Sequence, residues 1–130
     1  MVSPVPIVVA NMSDAGQIRA FHQAMLGIQR RIFNEIPLLG YTNGAFGMEI
    51  RKFGGLETAK MCLHSEELGA GFVALYRVNR LDLTLEALIH DNPEWHALFS
   101  EEELAICTVR LRKYGYSKIV DDDLSKQRAG

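Results

Sequence analysis

Four histidines, two cysteines and a slight excess of carboxylates over basic side chains are the groups in this 130-residue chain with capacity for chemistry. Their spacing decides whether they can act together. Glu86 and His90 stand at i,i+4, which puts both on one helix face as metal ligands often are. A tetrahedral centre needs more, and His64, His96, Cys62 and Asp91 lie in separate segments without the usual ligand spacings. No metal and no cofactor is therefore expected. Cys62 precedes His64 by two positions, so on a helix the thiol and the imidazole point apart; a nucleophile–base pair would need the helix to end between them. Cys107 sits in an apolar helical pattern and reads as a packed small hydrophobe. Glu66-Glu67 fits a solvated loop and Glu101-Glu102-Glu103 a capping turn, so neither pair suggests acid–base work. Gly54-Gly55 before a helix could offer amides to a phosphate, but no GxGxxG, GK[ST] or preceding strand accompanies it. The expectation is that the chain is not an enzyme.

Binding is the other chemistry available. Arg51, Lys52, Lys60, Arg77 and Arg80, with Arg30 and Arg31 before them, give the middle of the chain a mild basic excess that would suit nucleic acid if they shared a face. The formal charge of −2 disfavours a strong phosphate-binding surface. Trp95 and Phe99 flank His96 in a short turn started by Pro93, and an aromatic elbow of this kind can serve as a contact surface. Met25 and Phe33 add apolar bulk to the first helix beyond what one face needs. Met25, Phe33, Trp95 and Phe99 are the candidate partner-binding residues.

These groups are positioned by helices. Ser100-Glu101-Glu102-Glu103 is a capping box with acids at the positive end of the helix dipole; Leu104, Cys107, Thr108, Leu111 and Tyr114 follow at helical spacing, and Gly115 supplies the left-handed stop. Ser13 reads as the cap of a long helix from about Asp14 to Glu35, which Pro37 forbids from continuing. After a Leu38-Leu39-Gly40 link, shorter helices are expected over Ala45–Phe53, Leu56–Leu63, Phe72–Asn79 and Leu85–Ile89, the last capped by Asp82 or Thr84. Pro6–Ala10 is the only strand candidate, and a lone strand would have to pack as coil or pair with its copy in a dimer. Past Tyr116 the run Asp121-Asp122-Asp123-Leu124-Ser125-Lys126 predicts a frayed, disordered tail.

The expected fold is all-α, a compact bundle of five or six helices with the long N-terminal helix packed against several short ones. An N-terminal extension over 1–12, one helical domain over 13–118 and a disordered tail over 119–130 complete the organisation. With 48% hydrophobic and 23% charged residues the composition is that of an ordinary globular domain, without a spanning segment, so no membrane partner is expected. Export signals and a disulfide pattern are also missing, which points to the cytoplasm.

Taken together, Gly40-Tyr41, Phe46, Gly54-Gly55-Leu56-Glu57-Thr58-Ala59-Lys60, Gly71-Phe72-Val73-Ala74-Leu75, Arg80 through Ile89 with Leu-Asp-Leu-Thr-Leu at its centre, and Leu98-Phe99 through Tyr116 carry a resemblance. Over about Arg30 to Tyr116 the chain resembles a recurrent helical module of uncharacterised bacterial proteins, found alone or attached to larger chains, some similar to nucleases or defence-associated proteins. That module has no assigned catalytic residue, so the resemblance transfers none. It implies a small accessory protein of bacterial origin. The function expected is a non-enzymatic interaction module that binds a protein partner, or itself as a homodimer, through an apolar helix face. A helix-turn-helix-like nucleic-acid-binding protein is the alternative, built on the short helices around Gly55 to Asp91, and a small enzyme with an unrecognised site is the third reading.

Overall fold

The computed structural model describes the backbone of residues 5–42 and 44–129 and the side chains of residues 15–39 and 44–126. Among these residues every regular element is helical. Eight α-helices follow in order, α1 (Val5–Glu35), α2 (Pro37–Thr42), α3 (Gly44–Phe53), α4 (Gly55–Leu63), α5 (Ala70–Arg77), α6 (Leu85–Asp91), α7 (Glu101–Lys113) and α8 (Ser117–Ala129), with 3-10 turns at Leu81–Leu83 and Pro93–Leu98. The protein is all-α, and its long N-terminal helix packs against shorter ones. The chain divides into two compact units, Met1–Ala59 and Lys60–Gly130, with the division inside α4, where a single helical body over 13–118 was expected.

In the N-terminal unit α1 packs on α2 and α3. Phe21, Met25, Ile28 and Ile32, spaced by four, three and four, form its buried stripe, and Gly47 and Ile50 are the buried residues of α3. The helix starts at Val5, well before the expected cap at Ser13, so the segment expected as an extension and strand candidate is helical. Two features permit this: proline is tolerated in a first turn, where its missing N–H is not needed, and no residue from Val8 to Ser13 is a glycine or proline breaker. At the other end α1 stops at Glu35, where Arg31 Nε reaches Glu35 Oε2 at 2.8 Å. Pro37 then opens α2, so the expected link over Leu38-Leu39-Gly40 is a short helix.

The C-terminal unit gathers Phe72, Leu81, Ala87, Leu111, Tyr116 and Ile119 into one buried cluster, with Leu68 and Tyr114 packed against it. Local signals set the ends of its helices. Thr84, one of the two expected caps, accepts from Ala87 N–H at 3.1 Å at the start of α6. At α7 both halves of the capping box form: Ser100 Oγ accepts from Glu103 N–H at 3.1 Å, and Glu103 Oε1 from Ser100 N–H at 2.8 Å. The same helix ends on Gly115 at φ +77°, with Tyr116 N–H returning to the Leu111 carbonyl at 2.9 Å, a Schellman stop. Replacing Ser100 by alanine should cost about 1 kcal/mol in a denaturant melt and Ser100→Asp should restore most of it. Equal losses from both would show that this oxygen does not cap the helix.

The tail departs from expectation. Residues from Ser117 continue as α8, with Ile119 buried in the core cluster and Arg112 gripping Asp123 through Nε at 3.0 Å. The polar composition of the tail had masked the one apolar side chain that anchors its first turn.

Candidate functional site

Besides the surface pairs Arg80–Asp82 and Arg112–Asp123, the C-terminal unit holds three charged clusters, around Arg110, Glu103 and Asp91. In the first, Arg110 of α7 extends across to α6 and to the end of α4. Its Nη1 donates to Glu86 Oε2 at 3.0 Å and to the Cys62 carbonyl at 3.2 Å; Nη2 donates to the carbonyls of Leu63 and Ser65 at 3.2 and 3.1 Å. The guanidinium thus neutralises a buried carboxylate and caps the last turn of α4 together. Burial pushes the Glu86 carboxyl above its ordinary value, and Arg110 works against that rise. Beside the pair lies Cys107, whose thiol is pushed up to about 12 by burial first and by the nearby Glu86 second. Such a thiol is not a nucleophile at neutral pH.

The second group centres on Glu103. Besides its capping duty it accepts from Lys60 Nζ at 2.8 Å on Oε1 and pairs with His64 Nε2 at 2.8 Å on Oε2. His64 is therefore engaged with a carboxylate. Burial alone would raise the Glu103 carboxyl, but Lys60, the Ser100 amide and His64 together bring it down to about 2. Lys60 also lies 5.2 Å from the centre of the Phe99 ring, a cation–π contact.

The third group opens to solvent. Asp91, at the end of α6, accepts from Tyr116 Oη at 2.5 Å and from Lys118 Nζ at 3.4 Å, both on Oδ2, while Oδ1 lies 3.0 Å from His90 Nδ1. An open cleft of about 410 Å³ is lined by His90, Asp91, Lys118, Asp121 and Asp122. Burial would raise Asp91, but the bonds from Tyr116, His90 and Lys118 outweigh it and lower the carboxyl; burial and the Asp91 bond raise the Tyr116 phenol. Asp91 can orient the His90 ring, and among the described residues the rest of the lining is Lys118, Asp121 and Asp122. Among the described residues no group of three or more His, Cys, Asp or Glu is placed to hold a metal ion.

Of the residues singled out by spacing, Glu86 pairs with Arg110, His90 lies beside Asp91, and His64, the possible base for Cys62, pairs with Glu103. Lys60 is paired with Glu103 and Arg80 makes a two-pronged contact with Asp82 at 3.0 Å on each arm, whereas Arg77 is exposed. In the other unit Arg51 and Lys52 are exposed at the end of α3.

Of the four partner-binding candidates, Met25, Trp95 and Phe99 are buried. They belong to the core, a correction with a clear cause. Met25 falls on the same stripe as Phe21 and Ile32, and the 3-10 turn holding Trp95 folds back on α6, where His96 Nε2 meets the Ile89 carbonyl at 2.8 Å. Phe33 is 54% exposed. The N-terminal unit also leaves Leu38 81% and Met48 71% exposed, with Ile18 and Phe53 partly exposed as well. The sequence does not mark Leu38 and Met48 as surface residues, because one follows a proline in a segment that reads as a link and the other sits in a helix weakened by glycines. Glu86 carried a usable signal: a carboxylate among Leu85, Ala87 and Ile89 on an inward-facing turn demands a buried cation.

The chain matches no family model, no curated protein and no solved structure. No helix among the described residues is long and apolar enough to cross a membrane.

Proposed function

We propose that this protein is a non-enzymatic interaction module that binds a second copy of itself through the apolar side chains left uncovered on its N-terminal unit. The observation that carries the reading is the exposure of Phe33, Leu38 and Met48 on three successive helices that pack on one another. Isolated exposed apolar residues are ordinary on a protein surface. Here they accompany a broad apolar arc on α1, in which Phe21, Met25, Ile28 and Ile32 are buried while Phe33, about 80° beyond Met25, lies outside the buried stripe and is open to cover by another chain. A twofold arrangement presents the same patch from each copy and closes without forming fibres. The engagement of Lys60 by Glu103 and of Arg80 by Asp82 weighs against the nucleic-acid reading.

Light scattering at micromolar concentration should report twice the chain mass of 14.6 kDa. Phe33→Glu combined with Leu38→Glu should return the protein to one chain mass while leaving the far-ultraviolet helical signal intact. A wild-type protein that stays at one chain mass throughout that range overturns the self-association reading, as does a paired variant that remains dimeric.

A further inference from the structure

The first turn of α4 lies against α1 at a point where only glycine fits. A Cβ at Gly55 would stand 2.7 Å from His22 Cα and 3.2 Å from Met25 Cγ. From this position Gly55 N–H donates to His22 Nδ1 at 2.9 Å. That amide is one of the donors a helix start leaves without an intrahelical acceptor, and the preceding residue, Gly54, has no side chain to cap it. The imidazole therefore takes the place of a cap, supplied from 33 residues away.

Only an unprotonated ring nitrogen accepts a hydrogen bond, so this contact requires neutral His22 in the Nε2–H form. A proton on Nδ1 would face the Gly55 N–H and set a positive charge at the positive end of the α4 dipole. We propose that His22 and Gly55 form a pH-operated latch within the N-terminal unit: the neutral ring holds the first turn of α4 on α1, and the protonated ring releases it and uncovers Met25. The charged groups carried by the surrounding elements are Asp14, Arg19, Arg30, Arg31 and Glu35 on α1, Glu49, Arg51 and Lys52 on α3, and Glu57 and Lys60 on α4; α2 carries no charged residue.

Nitrogen NMR of the imidazole and exchange of the Gly55 amide, followed from pH 8 to pH 5 across the range where imidazoles as a class change charge, test the latch directly. At pH 8 the His22 ring should be the Nε2–H tautomer. As it becomes protonated, the protection of the Gly55 amide, corrected for intrinsic exchange, should fall by roughly tenfold or more. His22→Asn places a non-titrating oxygen near the Nδ1 position and should keep the amide protected at pH 5, and His22→Phe should leave it unprotected at both pH values. An Nδ1–H ring at pH 8, or Gly55 protection that stays constant while wild-type His22 gains its proton, overturns the proposal without recourse to either variant.

Discussion

Replacing Arg110 by alanine should destabilise the protein by about 3–5 kcal/mol, because the substitution strands a buried carboxylate. Glu86 is almost wholly enclosed and its ion pair in the structure is with Arg110, at 3.0 Å. The same change leaves the Cys62, Leu63 and Ser65 carbonyls without the guanidinium that caps the end of α4. Arg110→Lys should recover little, since an ammonium is a compact point charge and cannot reproduce a planar fork directed at four oxygens. Arg110→Met with Glu86→Leu should recover much more, because it removes the uncompensated charge together with its partner. Acidity offers a further check. Burial already raises the Glu86 carboxyl, and loss of Arg110 raises it further. A group whose folded pKa is raised adds stability below its unfolded value and loses it as pH rises through the folded one, so the Arg110→Ala deficit should shrink on acidification. Denaturant melts at neutral and mildly acidic pH measure both effects. A deficit under about 1 kcal/mol, of the size of a surface pair, would remove Arg110 from the role described.

The features legible in the sequence are those whose physics is contained within one helical turn. The Ser100–Glu103 box, the Thr84 cap, the Gly115 stop and the block imposed by Pro37 each depend on residues no more than four positions apart. The same residues acquire partners that no local rule supplies. Glu103 reads as a cap, yet it also binds Lys60 and His64 from about forty positions earlier. Arg110 reads as a cation suited to a helix C-terminus, yet the terminus it serves belongs to α4 and not to its own helix. Apolar type alone also fails to separate core from surface. Met25 and Phe33 look equivalent along α1, but they lie eight positions apart, about 80° around an ideal helix, enough to bury one and expose the other. The tail hides its helix for a related reason, since Ile119 anchors α8 from within a segment whose average is strongly polar.

Glu103→Ala should cost about 2–4 kcal/mol, from one lost reciprocal cap and one lost charge-assisted hydrogen bond to Lys60. The wild-type carboxyl is brought from 4.5 to about 2 by its partners acting against burial, so it carries a pH signature of its own. A group whose folded pKa is depressed contributes fully above its unfolded value and loses that contribution as pH falls through the folded one. Wild-type stability should therefore decline between about pH 5 and pH 2 on account of this residue. Glu103→Gln keeps an acceptor for the Ser100 amide but has no charge to lose, so its deficit relative to wild type should be largest near neutrality and narrow steadily across that window. Asp91 is lowered as well and titrates in both proteins, so the difference between the two curves isolates Glu103. Because Lys60 is 32% and His64 52% exposed, solvent and salt screen their part of the effect, and added salt should narrow the gap at neutral pH. Parallel stability curves for wild type and Glu103→Gln from pH 7 to pH 2.5 would show that Lys60 and His64 rest beside this carboxylate without stabilising its charge.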